Sequence, residues 1–151
     1  MKIILCMSVA LNCVLATPLT AQDSETKVKM KDLPPAVQAA VKEHSKGATL
    51  KGLVKEVENG ATRYEAELKV NGRTKDVTFD ETGKIVSVEE EVALAGIPAA
   101  ARDAIQKSVG KGKLLLVETV TEGGTTFYEA HIRKDGKQTE VKVDANGQPV
   151  K

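Results

Sequence analysis

The chain has 151 residues, with 22 Lys and Arg against 21 Asp and Glu, a net charge of +1, no Trp, and two cysteines. Near-neutral charge argues against a general nucleic-acid binder or a polybasic membrane-surface protein. Both cysteines, Cys6 and Cys13, lie within the first 21 residues. A chain beginning at Gln22 therefore carries no thiol, which excludes disulfides, thiol catalysis, zinc–thiolate sites and cysteine-ligated iron clusters.

Residues 1–21 read as a signal peptide: Lys2 precedes the apolar run Ile3–Leu15, and a small-residue region ends at Leu19-Thr20-Ala21. The run is shorter than the roughly 20 apolar residues that a transmembrane helix needs, so no stable membrane anchor is expected after cleavage. Asn12 before Cys13 does not fit a lipid-attachment site. These features place the protein in the periplasm or outside the cell. Residues 22–31 are polar, without a hydrophobic face, and read as a flexible leader.

From Asp32 onward the chain repeats itself. Leu33-Pro34-Pro35-Ala36 returns 64 positions later as Ile97-Pro98-Ala99-Ala100, Tyr64-Glu65-Ala66 as Tyr128-Glu129-Ala130, and Gly72, Val77, Asp80 and Gly83 as Gly136, Val141, Asp144 and Gly147. That period suits a small duplicated domain rather than a solenoid unit. The repeats are placed at 32–92 and 93–151. Each is marginal in size alone, so the two are expected to pack together.

In the first repeat, Asp32 is placed to cap a helix whose first turn holds Pro34 and Pro35. Val37, Ala40 and Val41 recur at helical spacing, and the helix should fade near Ser45-Lys46-Gly47. Alternation then predicts strands near Leu50–Glu58, Thr62–Val70, Arg73–Asp80 and Lys84–Glu91, separated by turns at Asn59-Gly60, Asn71-Gly72 and Asp80–Gly83. In the second repeat, Ile97-Pro98 opens a helix with Ala101, Ala104 and Ile105 inward, and Val109-Gly110 ends it. Strands follow near Leu114–Glu122, Thr126–Lys134 and Lys137–Asp144, with a stub from Gln148 whose Pro149 suits an edge. The repeat offset reads as 63 around the first strand, equating Leu53-Val54 with Leu116-Val117 and Val57 with Val120. It returns to 64 after Gly123-Gly124, where a longer loop or bulge is expected.

The fold class is therefore α+β: two tandem repeats, each a short N-terminal helix on an antiparallel sheet of about four strands. Strand parity sends Tyr64, Ala66, Leu68, Val77 and Phe79 toward the helix layer, with Tyr128, Ala130, Ile132, Val141 and Val143 in the second copy. The opposite face should carry Arg63, Glu65, Glu67 and Lys69, and Phe127, Glu129, His131 and Arg133. Phe127 is the one aromatic side chain expected to stand open there.

The Leu-Pro-opened short helix, variable hairpin, Tyr-Glu-Ala strand, Asn/Asp-Gly-Lys/Arg turn and Asp-x-x-Gly turn resemble the PepSY-like domains of bacterial envelope proteins, similar in fold to the β-lactamase inhibitor protein. The resemblance spans about Asp32–Val150 in two copies. It implies a secreted or periplasmic, non-catalytic module whose sheet grips a protein partner, possible roles being inhibitor or modulator of a peptidase or another envelope enzyme. The alternative is a structural or self-associating envelope protein. No contact residue of the family carries over, because the residue types are not matched here.

Catalytic patterns are weak. His44 reads as a helix-end residue, His131 as a polar-face residue, and the two do not form a zinc motif. Asp80, Asp144 and Glu89-Glu90-Glu91 lack calcium-loop spacing. There is no Gly-x-Ser-x-Gly elbow, and Gly110-Lys111-Gly112 lacks phosphate-loop spacing. No catalytic residue, cofactor or metal site is assigned, and the expected partner is an envelope or secreted protein.

Overall fold

A computed structural model describes residues 24–58 and 60–150. The signal-peptide reading and both cysteines lie outside them. Eight strands form one antiparallel sheet in strict sequence order: β1 Ser24–Lys27, β2 Thr49–Glu58, β3 Ala61–Val70, β4 Arg73–Asp80, β5 Ile85–Glu91, β6 Lys113–Glu122, β7 Thr125–Lys134 and β8 Lys137–Val143. Helix α1 (Pro35–His44) connects β1 to β2, and α2 (Ala99–Val109) connects β5 to β6. The fold is α+β, as expected. The two halves share one sheet: β5 pairs with β6 from Ser87↔Glu122 to Glu91↔Glu118.

The helices start where proline forces them to. Pro34 and Pro98 stand at the N-caps with ψ of 145° and 143°, extended values that precede the first helical turn. Asp32 does not cap α1. It ends a short 3-10 turn, Met30–Asp32, and its carboxylate accepts a hydrogen bond from the Lys29 amide at 3.3 Å. At the other end of α2, Gly110 takes a positive φ of 52° and its amide bonds to Gln106 O, a helix stop that favours glycine.

Each helix buries one narrow stripe. Val37 and Val41 of α1 pack with Leu33, Leu53, Tyr64, Ala66, Leu68, Val77 and Phe79. Ala101 and Ile105 of α2 pack with Ile97, Val117, Ala130, Ile132 and Val143, with Tyr128 and Val141 at the margin. Side chains alternate across a strand, so both clusters lie on the same sheet face, as parity predicted. The expected packing of the two repeats against each other takes a different form, with two apolar clusters linked through the continuous sheet.

Two readings are corrected. The polar leader contains β1, which pairs with β2 from Ser24↔Val57 to Lys27↔Val54. An apolar face is unnecessary there, because the strand is recruited by the open backbone groups of β2. The 63-residue offset is also wrong. Leu53 pairs with Ala66 and Val117 with Ala130, while Glu58 pairs with Ala61 and Glu122 with Thr125, so equivalent positions stay 64 apart. Gly123 and Gly124, with φ of 57° and 81°, make a two-residue turn. The irregularity lies instead at the opposite end of both hairpins, between Leu50 and Gly52 and between Leu114 and Leu116. The C-terminal stub is a single bridge, Val143↔Pro149, beside the outer strand β8.

Candidate functional site

The face away from the helices is built by the alternate residues of all eight strands. The register places Arg63, Glu65, Glu67 and Lys69 of β3 there, opposite Asp80, Thr78, Asp76 and Thr74 of β4. Phe127, Glu129, His131 and Arg133 of β7 lie on the same face, opposite Val120, Glu118, Leu116 and Lys113 of β6. Sequence parity thus assigned the residues to the correct side.

This face is not flat. Arg63 Nη1 lies 3.8 Å from Glu58 Oε2 on β2 and 3.9 Å from Glu122 Oε1 on β6. From β3 to β6 is three strand spacings, about 14 Å on a flat sheet, a separation that the pair would bridge only with both side chains fully extended along the sheet toward each other. A sheet that curls toward the uncovered side, and is concave there, brings them together without that requirement. The curl explains why Val54, Thr78, Glu118, Val120, Phe127 and Glu129 are buried although they face away from the helices.

Phe127 is the main correction. It is only 6 % exposed, with Val120 as its cross-strand partner and Lys142 Nζ 5.9 Å from its ring centroid. It sits on the expected face, but it serves as packing and is not an open aromatic anchor.

Acid residues dominate the trough. Glu67, Asp76 and Glu89 stand side by side on β3, β4 and β5, an arrangement that like-charge repulsion disfavours. Burial, followed by repulsion from Asp76 and neighbouring glutamates, raises the Glu65 carboxyl to about 8. Burial and the acids Glu118 and Glu67 raise Asp76 to about 6. Burial and Glu129, Glu118 and Asp76 raise Glu89 to about 7. Glu56 and Glu118 are also raised, chiefly by burial, with His131 opposing part of the rise at Glu118. Glu67 lies over Gly52, where a Cβ would meet its Oε2, so the carboxylate occupies space that the glycine leaves open.

At one end of the trough, His131 is ringed by carboxylates. Its Nε2 lies 3.1 Å from Glu118 Oε2 and 3.7 Å from Glu129 Oε1, and its Nδ1 lies 3.7 Å from Glu140 Oε1. Lys142 Nζ holds the other oxygen of Glu129 at 3.0 Å. Burial alone would lower the Lys142 ammonium, but the carboxylates of Glu129, Glu140 and Glu89 together raise the group above its usual range.

Lys69 and Arg133 remain exposed at the rim. His44 lies outside the trough, at the end of α1, with its ring 5.7 Å from that of Phe79. Asp80 and Asp144 spend their oxygens on turns: Asp80 Oδ1 accepts from the amides of Thr82 and Lys84, and Asp144 Oδ1 from those of Asn146 and Gln148. Glu90 pairs with Lys75 at 2.8 Å, and Glu91 accepts from the Thr74 amide at 2.9 Å. Sequence reasoning missed Asp76, Glu89, Glu118, Glu140 and Lys142 as members of the trough. Their alternation along each strand was visible, but the register that brings them together was not.

This two-helix, eight-strand arrangement has known counterparts. The chain matches the family described as "Putative beta-lactamase-inhibitor-like, PepSY-like" over residues 20–87 and again over 62–151. It belongs to that PepSY-like family. Its fold is similar to a solved BLIP-like protein from Bacteroides fragilis, with 22% identity, coverage of 79% of this chain and 84% of that one, and a TM-score of 0.55. A protein of Bacteroides eggerthii described as a "putative periplasmic" protein gives 20% identity, 79% and 86% coverage and a TM-score of 0.63. A DUF2874 family protein of Bacteroides uniformis gives 19%, 78% and 86%, and 0.60. At these identities the likeness establishes the fold, a tandem PepSY-like, BLIP-like architecture. No curated protein matches the chain.

Proposed function

We propose that this PepSY-like chain is a secreted or periplasmic, non-catalytic binding module whose concave sheet face receives a protein partner, in the role of inhibitor or modulator of an envelope enzyme. The carrying observation is the curled, uncovered face, where Arg63 reaches across to Glu122 and the carboxylates of Glu67, Asp76 and Glu89 stand without a cation between them in the register. A face of this charge suits a partner that presents basic side chains. The fold neighbours described as BLIP-like and periplasmic lend support to the class and compartment, and the signal-like N-terminus agrees. Within this reading, residues 1–21 are the signal peptide, and 32–92 and 93–151 are the two repeats.

The test is affinity capture from envelope extract with the chain from Gln22. Two variants are compared: Glu67→Gln/Asp76→Asn/Glu89→Gln on the concave face, and Gln38→Ala/Lys42→Ala/Arg102→Ala on the helices. A specific partner should be retained by wild type and by the helix variant, and lost by the face variant. Retention by the face variant would remove the concave face from the proposal. Phe127 is left intact, because replacing a buried aromatic would test folding rather than contact.

The self-associating alternative draws on the two outer strands. One of them has a feature that discourages pairing: Pro149 bridges to Val143 beside β8. The binding module is therefore the preferred reading.

A further inference from the structure

We propose that His131 and Glu129, flanked by Glu118 and Glu140, form a binding site for a divalent transition-metal ion of the zinc type at one end of the concave face. The inference does not depend on the partner reading; it starts from an expensive arrangement. Glu118 and Glu129 are directly opposite each other on β6 and β7, and they are 2 % and 4 % exposed. Like charges in direct opposition are unfavourable, and buried charges ordinarily are paired or coordinate a metal. Lys142 takes one oxygen of Glu129. The other oxygen, Oε1, faces His131 Nε2, as does Glu118 Oε2.

The spacing fits coordination. With zinc–ligand bonds of about 2.0–2.1 Å in tetrahedral geometry, two donor atoms on one ion lie about 3.3 Å apart. The separations from Nε2 to the two carboxylate oxygens, 3.1 and 3.7 Å, straddle that value. On the side of the second ring nitrogen stands a carboxylate of the kind that orients a metal-bound imidazole: Nδ1 lies 3.7 Å from Glu140 Oε1. Glu140 belongs to the same cluster, since ligand atoms of Glu129, His131 and Glu140 all lie within 4.8 Å of one another. One imidazole with two carboxylates suits zinc and its neighbours in the first transition row, whereas calcium and magnesium favour all-oxygen shells. The His131 side chain is 19 % exposed, so a further coordination position can be filled by water.

Titration of the metal-free chain from Gln22 with Zn²⁺ by calorimetry, and with Co²⁺ by visible absorption, tests the site. One ion should bind per chain, with cobalt showing the intense d–d bands of a low-coordinate site. His131→Ala should weaken binding at least 100-fold, Glu129→Gln at least 10-fold, and Glu140→Ala by less, while His44→Ala leaves it unchanged. Should Glu129→Gln fail to fold, the His131 ring resonances of wild type must still move and saturate at one equivalent of Zn²⁺. Absence of saturable Zn²⁺ binding up to about 1 mM, binding that survives His131→Ala, or equal preference for Ca²⁺ would each overturn the proposal.

Discussion

Gly147 lies against the carbonyl of Ala100 in α2, where an added Cβ would stand 2.5 Å from the oxygen; Gly83 meets Ala36 in α1 in the same way, at 2.7 Å. Both glycines have positive φ, 76° and 81°. An alanine at either position would combine backbone strain with a collision against helix backbone. Gly147→Ala and Gly83→Ala should each cost about 2–4 kcal/mol, from left-handed strain and overpacking together. Gly72→Ala, at φ 86° in open space, should cost only about 1–2 kcal/mol. Urea unfolding of the three variants checks the ordering, and equal losses would show that the helix contact contributes nothing.

The acid trough makes stability depend on pH in an unusual direction. Glu65 titrates near 8 in the folded chain against an ordinary value of 4.5. Between those values the folded state binds more protons than the unfolded state, so stability is greatest at mildly acid pH and falls as pH rises toward 8. Asp76 and Glu89 act in the same sense over lower windows, ending near 6 and 7. The melting temperature should fall from pH 5 to pH 9. Glu65→Gln should flatten the profile and raise the melting temperature at pH 9 by about 3–5 °C, the shift that roughly 1 kcal/mol produces in a domain of this size. A melting temperature that climbs over this range would contradict the assignment.

Much of the architecture was legible because it rests on local rules. The prolines before each helix, the Asp-x-x-Gly turns and the alternation of Tyr64, Ala66 and Leu68 located most elements and the core face. What escaped depends on distant pairing. Nothing in Ser24-Glu25-Thr26-Lys27 resembles a half-buried strand, and only the open edge of β2 makes it one. Apolar matching equated Leu53 with Leu116, whereas hydrogen-bond register equates it with Val117. Phe127 was assigned to the correct face, yet its burial comes from the curl of the sheet and from Lys142 above the ring. The opposition of Glu118 and Glu129 likewise required the β6–β7 register.

Strand β1 protects the edge of β2, and this has a measurable consequence. A chain starting at Val28 loses the pairs from Ser24↔Val57 to Lys27↔Val54, leaving backbone donors and acceptors of β2 unsatisfied and available to another copy. Light scattering over a concentration series should show the truncated chain associating where the chain from Gln22 does not, with faster amide exchange along Val54–Val57. Identical scattering and exchange for the two chains would mean that β1 has no protective role.

Binding to the concave face can be mapped with single cysteines, since the chain from Gln22 has none of its own. Thiols introduced at Arg63, Lys69 and Arg133, and for comparison at Gln38, Lys42 and Arg102 on the helices, would be labelled with a maleimide in the presence and absence of the captured partner. The concave-face thiols should be protected at least 10-fold in the complex, with the helix thiols reacting at unchanged rates. Protection confined to the helix positions, with the concave face still freely labelled, would contradict the proposed binding surface.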